Sequence, residues 1–357
     1  MADGKTILVT ALDWGLGHAS RCIPIVKELK NQGARVVLAS DGGALALLQD
    51  AFPDTDAIRL PSYGIRYSGR NMVVDMAWQL PRIIRTIRSE WLATQTIVRQ
   101  YAVHGIISDH RYGCFHRNIP SVFLSHQLHP RIPVPGVEAF ARYCHHQLIR
   151  RFDSCWIPDV PGPDPFTGEL SRPLSSQPFR HLGTLSRMQP GAADQVFDLV
   201  MVLSGPEPQR TRLEKELLRC AARLPGRSLL VRGIPGPPPS NPPDVPDRVT
   251  VVPFLGATAL NKAILSSGLY VGRAGYSTIM DLAVLRKKAL LIPTPGQTEQ
   301  EYLAERLHRK GFFLTQTQGS VDLAAALSNT DIPLEWPAAM NSSRLLHAAV
   351  HELLSRC

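Results

Sequence analysis

The chain has 357 residues, enough for two domains with separate cores, and its 44% hydrophobic and 19% charged content excludes disorder. The net charge of +9 favours anionic partners such as nucleotides and phospholipids. It is spread along the chain rather than gathered in a basic tail, so nucleic acid is not an expected partner.

The N-terminus, MADGKTILVTALDWG, enters a strand-like run from Lys5 to Leu12 without a basic n-region or cleavage site, the pattern of a cytoplasmic protein. The loop Asp13-Trp14-Gly15-Leu16-Gly17-His18 follows, then a helix expected from about Ser20 to Gly33 and a strand from Arg35 to Ser40. GLGHAS half-fits a dinucleotide fingerprint, with Asp41 where a ribose-binding acid would stand. A plain strand-to-helix turn fits as well. His18 lies beyond the carboxyl end of a strand, where open α/β sheets place ligands, and an imidazole there can take a proton from a sugar hydroxyl. A histidine that only caps the turn is the alternative.

The stretch Met76 to Tyr101 sets Arg82, Arg85 and Arg88 among apolar residues at helical spacing. Such a helix can rest on an anionic membrane, although an ordinary surface helix has the same pattern. No stretch approaches the ~18 apolar residues of a membrane span. The strand Gly105 to Ser108 leads into Ser108-Asp109-His110-Arg111-Tyr112-Gly113, and Ser121 to Ser125 into Ser125-His126-Gln127. Both read either as a cleft lining or as buried ion pairs. Ile157 to Arg187, rich in proline and poor in helical pattern, reads as an interdomain connection.

Strand-helix alternation then resumes at Phe197 to Ser204, Ser228 to Arg232, Val249 to Pro253, Leu269 to Gly272 and Ala289 to Pro293, with a Pro-rich loop, IPGPPPSNPPDVPD, between two of these strands. A last helix is expected over about Ala338 to Leu354. Ser204, Gly205 and Arg210 form a phosphate-cradle candidate without the GxxxxGK[ST] of an ATPase. In Gly272-Arg273-Ala274-Gly275-Tyr276-Ser277-Thr278-Ile279-Met280-Asp281, a Gly turn opens a helix on which Ser277 and Asp281 share one face. The acid can hold ribose hydroxyls while the helix N-terminus receives a phosphate. In the blander reading Ser277 is an N-cap and Asp281 complements the macrodipole. In the following loop, Thr298 and Glu301 make a capping box, whereas Gln300 has no such duty and is free for sugar hydroxyls. Six cysteines without a CxxC pair imply reduced thiols and no zinc site.

These last two segments, in this order, resemble the donor-site signature of GT-B glycosyltransferases, most closely the family 28 enzymes of the peptidoglycan N-acetylglucosaminyltransferase type and their bacterial relatives. The resemblance implies two Rossmann-like α/β domains with an interdomain cleft: an acceptor-side domain over 1–175, a donor domain over 176–335, and a C-terminal helix over 336–357 that crosses back. It implies inverting transfer from a UDP-sugar without metal or cofactor, with His18 as base or orienter of a base and Asp109 as the other catalytic candidate. By the same likeness Gly17 belongs to the N-domain glycine loop, and Ser204, Gly205 and Arg210 to the phosphate loop. Arg273 is in the donor loop, Gly275, Ser277 and Thr278 lie near the diphosphate, and Asp281 at the ribose. Phe254 and Leu255 hold the base, and Gln300 and Glu301 face the hexose. Asp281 stands where the family has Glu, and Glu301 where it has Gln. The acceptor, lipid-linked or polysaccharide, is open, as is contact with the inner face of a membrane. An epimerase of UDP-N-acetylglucosamine type and an NAD-dependent enzyme remain alternatives at this point.

Overall fold

The computed structural model describes residues 4–64, 72–132, 134–174, 177–234, 245–329 and 342–357. The chain divides into two compact units, Met1–Arg187 with Ala339–Cys357, and Met188–Ala338.

The first unit alternates strands and helices: β1 (Thr6–Ala11), α1 (Gly17–Asn31), β2 (Arg35–Ser40), α2 (Gly42–Ala51), β3 (Ala57–Arg59), α3 (Met72–Gln100), β4 (Val103–Asp109), β5 (Ser121–Leu124), α4 (Pro135–Ile149), β6 (Ser154–Ile157) and β7 (Phe179–His181). The strands form one parallel sheet in the order β3-β2-β1-β4-β5-β6-β7. β1 is buried at every position because helices cover both faces of the sheet. On α1, Cys22, Ile25, Val26 and Leu29 recur at helical spacing and fill one core with Ile7, Val9, Val36 and Leu38. Each such side chain contributes roughly 1.5–3 kcal/mol on burial.

The second unit contains β8 (Phe197–Val202), α5 (Gln209–Ala221), β9 (Ser228–Val231), β10 (Val249–Val252), α6 (Ala257–Leu265), β11 (Ser267–Gly272), α7 (Tyr276–Leu285), β12 (Ala289–Leu291), α8 (Thr298–Arg309), β13 (Leu314–Thr315) and α9 (Leu323–Ser328). Its sheet is parallel, ordered β10-β9-β8-β11-β12-β13. In both sheets the strand order reverses beside the first strand, between β1 and β4 and between β8 and β11. Loops leaving the carboxyl ends at such a point diverge and open a ligand crevice.

The closing helix, α10 (Ser342–Arg356), returns to the first unit. Leu346, Ala349, Val350, Leu353 and Leu354 enter the core beneath α1, and Arg180 of β7 pairs with Glu352 at 2.7 Å. The expected start of this helix, 338–341, lies outside the described residues, as does most of the Pro-rich loop.

Two boundaries differ from the sequence reading. The division falls at 187/188 rather than 175/176 because β7 pairs with β6 and so belongs to the first sheet. The segment read as a connection is thus part of the first unit. Buried Asp159 holds it in place, accepting hydrogen bonds from the amides of Val160, Phe166 and Thr167. Helix α1 begins at Gly17, three residues before the expected Ser20, which brings Gly17 and His18 into its first turn.

Candidate active site

Ala11 and Asp109 are register partners at the ends of β1 and β4. The loop after β1 therefore starts beside Asp109, and one turn of α1 brings two further side chains to it. His18 Nδ1 lies 3.0 Å from Asp109 Oδ1. Arg21, only 2% exposed, grips both carboxylate oxygens, Nε donating to Oδ2 at 2.6 Å and Nη2 to Oδ1. The same guanidinium stands 2.7 Å from Nδ1 of His18 and 2.7 Å from Nδ1 of His126, which follows β5. Burial would raise the Asp109 carboxyl, but Arg21 and His18 overcome it and hold the group well below its ordinary range. Burial lowers His18; Asp109 pulls it up, Arg21 pushes it down, and the outcome lies below the ordinary histidine value. With Nδ1 turned to Asp109, Nε2 is the nitrogen left for a substrate hydroxyl.

His110 sits beside this pair with a left-handed backbone (φ 55°) that non-glycine residues seldom adopt. Its ring meets His18 edge-on at 5.2 Å, and its buried Nε2 has no hydrogen-bond partner. Burial holds it well below the ordinary value. Farther along, Tyr112 hydroxyl bonds His145 Nδ1 at 2.8 Å, and His145 Nε2 lies 3.1 Å from the Gln127 carbonyl. Burial, assisted by His146, pushes His145 down to about 4. That ring is neutral, so Nε2–H donates to the carbonyl and Nδ1 accepts from the phenol.

The segment 108–113 thus splits between its two readings. Asp109 belongs to the His18 site, whereas Arg111 is a buried structural cation paired with Glu90 at 2.9 Å and with Asp41. It also donates to the carbonyls of Ala11 and Pro61. Gly113 admits α3 at this point, since a Cβ there would lie 2.2 Å from the Ile87 carbonyl oxygen. Asp41, the expected ribose acid of a dinucleotide enzyme, is consumed by Arg111, which removes the main support for that alternative. A DxD-spaced pair, Asp54 and Asp56, precedes β3 at the opposite end of the sheet, where Asp56 pairs with Arg35.

In the second unit, loops after β8, β10, β11 and β12 carry the expected donor residues. Gly205 (φ 97°) follows exposed Ser204, and a Cβ on it would lie 3.6 Å from Thr294 Oγ1 in the loop after β12. That Thr294 hydroxyl is buried and has no partner. Gly275 occupies the N-cap of α7 with no side-chain cap, and a Cβ there would meet only Thr278 Oγ1, at 3.9 Å. Gly275 itself adds no cap to this helix, whose N-terminus is its positive end. Ser277 and Asp281 are half-buried on one face of this helix, and the Asp281 charge helps raise the Tyr270 phenol. Phe254 and Leu255 are half-buried in the loop after β10.

Several expected roles are altered. Ser277 is not the N-cap, because the helix already begins at Tyr276. Thr278 is half-buried near Gly275, and its hydroxyl lowers the Tyr270 phenol against the effect of burial. Arg210 is buried and committed to Glu207 at 2.6 Å and Glu214 at 2.7 Å, not offered to a ligand. Arg273 is 1% exposed and donates to the carbonyls of Ile292, Pro293 and Gln209 and to Gln318, tying the ends of β11 and β12 to α5. Burial lowers it to about 10. Gln300 does have a structural duty: its Oε1 accepts from the Thr294 amide at 2.9 Å and its Nε2 donates to Gln297. Glu301 accepts from the Gly296 amide at 2.8 Å, and the N-cap of α8 is Gln297, not Thr298. Arg21 was missed by the sequence reading. The available signal was a cation among the apolar positions of α1.

Residues 241–348 match the model of the glycosyltransferase family 28 C-terminal domain. An uncharacterized glycosyltransferase of Methanosarcina acetivorans is 23% identical over 334 residues, covering 86% of this chain and 84% of that protein. The crystal structure of Acinetobacter baumannii MurG superposes with a TM-score of 0.61 at 16% identity, over 98% of this chain and 99% of that one. The spinosyn rhamnosyltransferase SpnG complexed with thymidine diphosphate gives 0.59 at 14% identity, over 99% and 95%. The fold is GT-B and the chain is a glycosyltransferase. Within that fold, the likeness to family 28 lies in the C-terminal domain, over residues 241–348. The curated relatives are archaeal, so the likeness does not assign it a bacterial source.

Proposed function

We propose that the enzyme transfers a hexose or N-acetylhexosamine from a nucleoside-diphospho-sugar, a UDP-sugar, to an acceptor hydroxyl with inversion and without a metal ion. The carrying observation is His18 paired through Nδ1 with the anionic Asp109 at a strand-order reversal. In one displacement, Nε2 takes the acceptor hydroxyl proton, the oxygen forms its bond to the anomeric carbon from the opposite face, and the C–O bond to the diphosphate breaks. The electron pair leaves with the nucleoside diphosphate. Its negative charge is met by the amides at the start of α7, with Ser277 beside them and the Thr294 hydroxyl as a further donor. Asp281 receives the ribose hydroxyls and the Phe254–Leu255 loop the base. Gln300 and Glu301 meet the hexose after exchanging their internal partners. Gln300 is the more economical contact, because its amide already orders the Thr294 loop.

Support for contact with an anionic membrane comes from α3, which exposes Trp78, Leu80 and Ile84 together with Arg82, Arg85 and Arg88. Among the described residues, no helix is long and apolar enough to cross a membrane. A lipid-linked or polysaccharide acceptor is consistent with this surface.

The test is incubation with UDP-sugars and dTDP-sugars in EDTA, with and without lipid and polysaccharide acceptors, and mass analysis of the products. Acceptor-dependent release of nucleoside diphosphate in EDTA is expected. A strict metal requirement would overturn metal independence, and an epimerised sugar released from donor alone would establish an epimerase.

A further inference from the structure

Arg21 takes no part in the transfer just described, yet it is the most connected side chain of the His18 site. We propose that Arg21 is the positioning residue of that site: its fork fixes the Asp109 carboxylate beside His18 and offsets its charge, so that His18 is held in its neutral form. The inference rests on the reading of His18 as the base.

The geometry runs through one helix turn. His18 and Arg21 are three residues apart on α1 and meet the same carboxylate from one face. Two parallel contacts from a planar guanidinium set both the position and the plane of the carboxylate, which a single contact cannot do. Oδ1 is thereby aimed at His18 Nδ1, and the third Arg21 nitrogen extends the brace to His126.

The charges act in the same sense. Facing the His18 ring are Asp109 and His110 from the end of β4 and Arg21 from α1, while His126 from the loop after β5 adjoins Arg21 and Cys22 of α1 adjoins Asp109. Burial and the Asp109 charge keep the Cys22 thiol protonated, and burial keeps His110 neutral, so Asp109 and Arg21 are opposing full charges beside the ring. The cation offsets the pull of the carboxylate on a proton, and burial then favours neutral imidazole. Without Arg21, a buried carboxylate would face His18 alone and draw a proton onto it.

Histidine-labelled protein, with the His18 signal assigned by its loss in His18→Gln, gives the titration midpoint from ring nitrogen shifts. In the native protein a midpoint below the ordinary histidine value of 6.5 is expected. In Arg21→Gln the midpoint should rise by about one unit or more. An unchanged or lowered midpoint would overturn the proposal. If Arg21→Gln does not fold, Arg21→Lys decides: a point charge cannot grip both oxygens, so the midpoint should move from its native value. An unaltered midpoint in Arg21→Lys would overturn it. Because the readout is the ring and not turnover, failure to find a transfer reaction would strike the functional reading and leave this result intact.

Discussion

The crevices beyond β1–β4 and beyond β8–β11 occupy equivalent places in two similar sheets, yet they are furnished differently. The first is lined by titratable side chains that restrain one another: His18, Asp109, Arg21, His110 and His126. The second offers backbone amides at the start of α7, an open glycine at 275 and an unpartnered threonine hydroxyl at 294, while its arginines, Arg210 and Arg273, are buried in structural contacts. Moving a proton requires a side chain whose protonation is set beforehand. Holding a diphosphate requires donors that need no protonation state at all. The difference teaches that the charged residues nearest a phosphate loop in sequence need not be the ones that hold the phosphate.

The sharpest way to break this contrast is to remove the base. His18→Ala should lower kcat by roughly 10²–10⁴-fold while leaving nucleoside diphosphate affinity unchanged, as measured by turnover and calorimetry on the same preparation. A comparable loss of donor affinity would place His18 in the wrong site. Arg111→Ala should be next in size, leaving Asp41 and Glu90 buried without their cation and costing about 3–5 kcal/mol in urea unfolding. Retention of native stability would show that this network is not structural.

In the second crevice, Asp281→Ala should weaken UDP binding by about 10–100-fold, as expected for hydrogen bonds to a charged group, without altering the melting temperature appreciably. The pH profile sharpens the first crevice. Because His18 lies below its ordinary value, the acid limb of kcat/KM, set by protonation of the base, should be centred below the ordinary histidine value. An acid limb centred above 6.5 would contradict the paired geometry. Smallest of all, the exposed Arg35–Asp56 pair at 2.8 Å should change stability by no more than ~1 kcal/mol on Asp56→Asn, measured by the same unfolding method.

The architecture was largely legible because parallel strands announce themselves as short apolar runs. Arg35–Ser40 is read to the residue, and Ser121–Ser125, Val249–Pro253 and Ala289–Pro293 within one or two. The start of α1 was not legible: Leu16 and Gly17 carry no capping signal, and Ser20 imitates one. The 157–187 segment misled for a related reason, since its order comes from buried Asp159 binding amides rather than from any periodic pattern. At the site, His18 and Asp109 were nameable from their positions at strand ends, but their pairing was not, because it depends on β4 lying beside β1 across nearly a hundred residues. Arg210 and Arg273 fail in the opposite way. An arginine beside a glycine turn looks the same in sequence whether it faces a ligand or the carbonyls beneath it.

The most direct test of the division between the two crevices is calorimetric titration of UDP into the native protein, Asp281→Ala and His18→Ala. Saturable binding by the native protein and by His18→Ala, with marked weakening in Asp281→Ala, is the predicted result. Equal UDP affinity in all three, or loss only in His18→Ala, would contradict it.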